Sequence, residues 1–327
     1  MDRPEPPPWP RARRNGRARF HRLVGLLLAL ALVVLALVVS GALALGPTDA
    51  ALARREATEI HPDPAEAEAD VPFPQDQGCM IGIEIERSGR CLYGDPRGRR
   101  TLILFGDSHA LQVFPALEVV ARRDHWRLVV LTKRECTPAT VTVFNSLAGG
   151  AYAECDAWRR NELRRIEQRG GRPVVAIGGK AEYTAYGPYG EELDGRANAK
   201  ALEAGYVATL RRVERAGLRP VVIRDTPKPP FDVPECVLAH LADVGACDFA
   251  ERDRRWRDFD VRAARRVGAR LIDPGEKICP HGLCRAVVGD VLVYRDPAHL
   301  TATYARTLAS WFEPRLRAAF AAAGRHR

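Results

Sequence analysis

Thr101–Ala110 reads TLILFGDSHA. The apolar run Leu102–Phe105 ends at Gly106-Asp107-Ser108-His109, and a helical pattern follows over Leu111–Arg123. A short apolar run bounded by a turn signal is a fully buried strand. Glycine at the turn lets the backbone change direction sharply. Ser108 therefore stands where a strand hands over to a helix. Its hydroxyl is displayed at the carboxyl edge of a sheet, beside backbone N–H groups with no partner inside the helix.

Outward from this stretch, strands and helices alternate. Further strands are expected at Arg127–Leu131, Pro173–Ile177, Pro220–Ile223 and Arg270–Ile272. Helices are expected at Asp156–Gln168, Ala197–Ala216, Phe249–Val267 and Thr301–Ala323. Such alternation implies a parallel sheet covered on both faces, a three-layer α/β/α sandwich with five strands. Ligands of such sheets lie beyond the carboxyl ends of the strands, which is where Ser108 falls.

The chain has 327 residues and 46% hydrophobic content, enough for one large domain with appendages. Its formal charge of +9 is uneven. Residues 1–22 carry seven arginines against Asp2 and Glu5, a basic arm of net +5. The rest of the charge is interspersed acid and base on helices, a solvated pattern. No nucleic-acid-binding motif accompanies it, so a nucleic-acid partner is excluded.

Residues 23–45 are apolar or small without one charge, and about 20 such residues span a bilayer core. Arginines on the amino side predict a cytoplasmic N-terminus and an extracytoplasmic body, a single-pass membrane protein. Ala42-Leu43-Ala44 resembles a signal-peptidase site, but the apolar core is too long for a typical signal. Either way the body is exported. Residues 46–78 mix Pro with Glu and Asp and lack apolar periodicity, which predicts an extended linker. The body then spans 79–327.

Eight cysteines occupy the body, an even number suited to disulfides in an exported protein. Sequence alone leaves 105 connectivities. Chain neighbours form local pairs: Cys79 with Cys91, Cys136 with Cys155, Cys236 with Cys247 and Cys279 with Cys284. The alternative for the last pair is a zinc site with His281, but no second cysteine pair of comparable spacing is nearby.

A serine needs a base, and the base needs an orienting carboxylate. Asp296-Pro297-Ala298-His299 supplies both on one loop just before the last helix. A solvated helix start is the plain alternative for this motif. The G-D-S-H order also fits the D-x-H opening of metal-dependent phosphoesterases, but no Asn-His pair occurs in the chain to complete such a ligand set. Asp107 is expected to tie down its turn, and His109 to pack or line the site's edge.

A G-D-S block after the first strand with D-x-x-H before the last helix resembles the SGNH/GDSL hydrolase superfamily. GDSHA at 106–110, the DTPKPP loop at 225–230, DPAHLT at 296–301 and the cysteine-rich loops resemble, more narrowly, the SGNH domain associated with acyltransferase-3 membrane proteins. The resemblance covers about residues 91–323 and implies the flavodoxin-like SGNH fold. It implies Ser108 as nucleophile, His299 as general base and acid, and Asp296 as its orienting group. The Ser108 N–H would be one oxyanion donor. Relatives take another donor from the asparagine of a G-x-N-D block, and here Gly178-Gly179-Lys180-Ala181 stands in its place. Gly179 and Lys180 are thus oxyanion or substrate candidates, with Lys180 either bonding the oxyanion or pointing to solvent. Gly149 and Gly150 are candidates for a glycine donor, or only serve a turn.

The resemblance further implies a serine acetylesterase or O-acyltransferase that works without a cofactor on a cell-envelope polysaccharide or other glycan. With one spanning segment, a transferase would depend on a separate multi-pass acyltransferase-3 type membrane partner. The departure at Lys180 motivates a rival expectation, a catalytically inactive module that binds glycan or a partner.

Overall fold

The computed structural model describes residues 59–252 and 258–321. The basic arm, the apolar segment 23–45 and residues 46–58 lie outside the described residues. Among the described residues no helix is long and apolar enough to cross a membrane.

All five expected strands form: β3 (Arg100–Gly106), β4 (Trp126–Lys133), β5 (Val174–Gly178), β6 (Arg219–Ile223) and β7 (Arg270–Ile272). Their order across the sheet is β4-β3-β5-β6-β7, and every pairing among them is parallel. This order has its switch point between β3 and β5, where the chain first doubles back. Two short strands extend the outer edge of β4. β1 (Met80–Ile81) pairs with it in parallel, and β2 (Leu92–Gly94) pairs antiparallel. Among the described residues the sheet therefore has seven strands, not five. The two additions, of two and three residues, are too short to register as strands in the sequence.

Successive side chains of a strand point to opposite faces. Leu102, Leu104, Leu128, Val130, Val174 and Ala176 enter one core. Ile103, Phe105, Val129, Leu131, Val175 and Ile177 enter the other. That two-sided burial is why these strands read as continuous apolar runs. Over the first face lie α2 (Phe114–Arg123), α6 (Ala302–Thr307) and α7 (Ala309–Ala321), through Leu117, Val120, Tyr304, Phe312 and Leu316. Over the second lie α3 (Ala153–Glu167), α4 (Gly195–Arg215) and α5 (Phe259–Val267), through Trp158, Ile166, Tyr206, Leu210 and Phe259. Trp158 stacks on Phe105, centroids 5.0 Å apart, and fixes α3 on the central strand.

Three expectations need correction. The helix expected from Phe249 begins at Phe259, because Phe249–Ala250 instead pairs antiparallel with Leu283–Cys284. The single terminal helix is two, interrupted at Leu308, and Pro314 within the second has no N–H to give the preceding turn. The linker does not remain extended from Glu59 onward. Ile60 and Ala67 are buried, Pro64–Ala69 forms a 3₁₀ turn capped by Asp63, and Phe73 packs edge-on against Tyr93 and Phe114. His61 exchanges backbone hydrogen bonds with Asp290 and Leu292, both at 2.8–2.9 Å. A few apolar anchors and backbone bonds hold this segment, and composition reveals neither.

The four disulfides join the neighbouring cysteines: Cys79–Cys91, Cys136–Cys155, Cys236–Cys247 and Cys279–Cys284. The last consumes both thiols of the zinc alternative, and Cys236–Cys247 likewise consumes the thiols lying beside His240.

Candidate active site

The site grows from the ends of two central strands. Gly106 and Gly178 are register partners on β3 and β5. A Cβ on Gly106 would fall 1.8 Å from the Gly178 carbonyl oxygen, so only glycine allows this approach. The next residues of each strand leave the sheet side by side. Asp107, fully buried, caps α1 (Ser108–Leu111) by accepting from the N–H groups of His109 and Ala110 at 2.8 and 3.3 Å. Its second oxygen accepts from the Lys180 N–H at 2.9 Å and from the Tyr183 hydroxyl. One carboxylate thus fixes the first turn of α1 and the loop after β5 together. The Ser108 N–H has no acceptor among the described residues.

The D-x-x-H loop meets Ser108 from the other end of the chain. Tyr294 and Leu300 bridge its base, and the Arg295 N–H donates to the His299 carbonyl at 3.0 Å. Gln112, buried at the end of α1, receives the Leu300 N–H at 2.9 Å and donates to Thr226 at 3.2 Å. The serine-bearing turn is thereby tied to the histidine-bearing loop.

This scaffold brings Ser108, His299 and Asp296 into line. His299 Nε2 lies 2.9 Å from Ser108 Oγ, and His299 Nδ1 lies 2.9 and 3.0 Å from the two Asp296 oxygens. The hydrogen bond to a carboxylate assigns the Nδ1 proton, leaving Nε2 to accept from the serine hydroxyl. Asp296 also accepts from the N–H groups of Ala298 and His299 and pairs with Arg295 at 3.1 Å. Burial works against the Asp296 charge, but the His299 hydrogen bond, the nearby cations and the backbone donor outweigh it and hold the carboxyl at about 2. Burial lowers the His299 pKa; the Asp296 hydrogen bond opposes this without reversing it, and His109 adds to the lowering. At neutral pH the ring is a free base beside a hydroxyl, the arrangement that activates a serine.

The three residues line a cleft of about 650 Å³, with Asn145, Lys180 and Tyr183 on its walls and Phe144 at its lip. Phe144 and Asn145 belong to a small hairpin closed by Gly150–Ala151. Gly149 and Gly150 serve that turn and do not line the cleft. Gly179 is needed for space, because a Cβ there would sit 2.9 Å from Pro138 and 3.1 Å from Asp107. Lys180 stands on the cleft wall with both its backbone and its side chain engaged by the protein. Its N–H goes to Asp107, and its ammonium pairs with Glu135 and lies over the Tyr183 ring.

Sequence reasoning left Asn145, Gln112 and Arg295 unnamed. His109, expected to pack or line the site's edge, is buried with its Nδ1 2.7 Å from Asp225, a partner the sequence did not indicate. Asp225 opens the DTPKPP loop, so the motif was in view but its partner was not.

A serine on the first turn after the central strand, joined to a histidine and an aspartate from the last loop, defines an SGNH-type α/β domain. The chain belongs to the family described as SGNH domain (fused to AT3 domains), whose model matches residues 75–314. The periplasmic domain of a Salmonella ser. Paratyphi A lipopolysaccharide acetyltransferase is similar in fold, with TM-score 0.54 at 16% identity over 67% of this chain and 84% of that one. Est24, a carbohydrate acetylesterase from Sinorhizobium meliloti, aligns with TM-score 0.41 at 12% identity over 67% of this chain and 99% of that one. No curated protein matches the sequence.

Proposed function

We propose that the protein is a membrane-anchored, extracytoplasmic serine O-acyltransferase or acetylesterase acting on a cell-envelope glycan. The observation that carries the reading is the unbroken line Asp296–His299–Ser108 opening on the cleft. Family membership and the fold shared with a lipopolysaccharide acetyltransferase domain support the choice of acyl chemistry.

In the first half-reaction Ser108 Oγ attacks the acyl carbonyl while His299 Nε2 takes its proton. The Ser108 N–H faces the charge that develops on the carbonyl oxygen. His299 returns the proton to the leaving oxygen, and the acyl group remains on Ser108 as an ester. In the second, His299 takes a proton from water or from a glycan hydroxyl, whose oxygen attacks the acyl carbonyl, and returns that proton to Ser108 Oγ as the ester bond breaks. Asp296 stabilises the imidazolium formed in each half. The chemistry requires no cofactor.

Residues 23–45 supply the membrane anchor in this reading, with residues 1–22 cytoplasmic. The acyl donor would come from a separate multi-pass acyltransferase-3 type protein. The test is covalent labelling of the full-length chain by a fluorophosphonate, with acetylated glycan and acceptor sugar supplied in parallel. Labelling lost in Ser108→Ala and His299→Ala is the expected result. Release of free acetate marks an esterase, and an acetylated acceptor marks a transferase. A wild-type chain that takes no label at any pH overturns the enzyme and leaves a silent binding module.

A further inference from the structure

Beside the Ser108–His299–Asp296 line stands a second histidine–carboxylate pair that the reaction above does not use. His109 follows the nucleophile directly, and its N–H is held by Asp107. Its side chain turns to the loop after β6, where Nδ1 meets Asp225 Oδ1 at 2.7 Å. Both side chains are only 9% exposed. The other Asp225 oxygen receives the Ala181 N–H at 2.9 Å, which holds the carboxylate in place as an anion. The His109 and His299 rings lie with centroids 4.6 Å apart and planes tilted by 49°. The two rings also share a small cavity of about 140 Å³.

Charges on these groups are coupled by their closeness. Burial works against an imidazolium at His109, but the Asp225 charge and hydrogen bond, with Asp107 behind them, outweigh it and raise the group to about 9, Lys180 opposing. His299 faces His109, Asp296 and Arg295. The remaining charges on this rim neutralise one another, since Lys180 pairs with Glu135 and Lys228 with Glu182. At neutral pH a cation, ion-paired to Asp225, therefore stands 4.6 Å from the catalytic imidazole, centroid to centroid. A second positive charge on His299 is disfavoured by that neighbour.

We propose that His109, held as a cation by Asp225, is a positioning residue that acts through His299, keeping that ring free of its proton between half-reactions and driving the proton on to the leaving oxygen. The proposal rests on the acyl-transfer reading of Ser108. It assigns no contact with substrate to His109. Its consequence is a nucleophile that stays activated at pH values where an unassisted histidine would already be protonated.

The test is the pH dependence of fluorophosphonate labelling of the full-length chain. The wild-type acid limb is expected below the ordinary histidine range. In His109→Gln the limb moves up by about one pH unit, so labelling at a pH below both limbs is about tenfold slower than wild type. His109→Lys, which keeps the charge, retains the wild-type limb. Imidazole NMR of Ser108→Ala covers the case of variants that do not fold, with His109 protonated and His299 neutral at pH 7. A neutral His109 at pH 7, or a limb unmoved by His109→Gln, overturns the proposal. Absence of labelling in the wild type at every pH is a different failure, that of the Ser108 reading itself.

Discussion

The Lys180 backbone N–H donates to the buried carboxylate of Asp107 across 2.9 Å, linking the ends of β3 and β5 through a single side chain. The same carboxylate caps the helix that begins at Ser108 and receives the Tyr183 hydroxyl. Replacing Asp107 by Ala removes the cap, worth about 1 kcal/mol. It also strands two buried donors at about 1–3 kcal/mol each. The expected loss is about 3–7 kcal/mol in denaturant unfolding, with labelling of Ser108 lost as well. Asp107→Asn keeps one acceptor oxygen and should fall between wild type and Ala.

The hairpin bearing Phe144 and Asn145 is reached through a loop closed by Cys136–Cys155, whose sequence separation is 19. A closed loop of this length stabilises by about 3 kcal/mol, chiefly by restricting the unfolded chain. The Cys136→Ser, Cys155→Ser double variant is expected to lose about that much stability. Because the hairpin forms the lip of the cleft, the KM for a glycan ester should rise more than the rate of small-probe labelling falls. Calorimetry and the two kinetic measurements check this.

The two histidines tilt stability in opposite directions with pH. His299 is lowered in the folded state, so between its ordinary value of 6.5 and its folded value the unfolded chain binds more protons. Stability therefore falls as pH drops below 6.5. His109 is raised to about 9, so its contribution is complete below 6.5 and is lost as pH rises through 9. The His109 part is readable as the difference in thermal midpoint between wild type and His109→Gln from pH 5 to 10, since Asp260, pushed up to about 7 by burial, also tilts the curve over this range. His109→Gln should flatten the alkaline slope.

Asp70 receives the Thr303 N–H at 2.9 Å through its side chain and the Ala302 N–H at 3.0 Å through its carbonyl, at the start of α6. The Arg295 side chain reaches back to the Glu68 carbonyl. Asp70→Ala is expected to cost about 1 kcal/mol, as for a helix cap. Labelling of Ser108 should fall more than this stability loss predicts, since the contact abuts the His299 loop. Full-length Asp70→Ala, compared by unfolding and by labelling rate, decides the point.

Strands β3 to β7 were legible because burial on both faces writes them as apolar runs, and Ser108 because it opens the helix just after one of them. Asp296 and His299 were legible because four consecutive residues of one loop carry the pair. The His109–Asp225 pair is separated by 116 residues, and Gln112 meets Leu300 across 188. Their meeting is set by strand order and register, which spacing along the chain does not encode. The Lys180–Glu135 pair was hidden for the same reason, since Glu135 follows a different strand. The segment after Glu59 was misread because composition reports solubility and not backbone pairing.

That segment also sets an order of assembly. Asp70 and Thr303 are 233 positions apart, and contacts of such separation pay loop-closure entropy before they return any stabilisation. The sheet can close from near neighbours, but the loop holding His299 is clasped only when the first and last described portions of the domain have both arrived. Competence of Ser108 therefore depends on both ends of the described domain, and a chain cut before residue 296 carries a serine without its base.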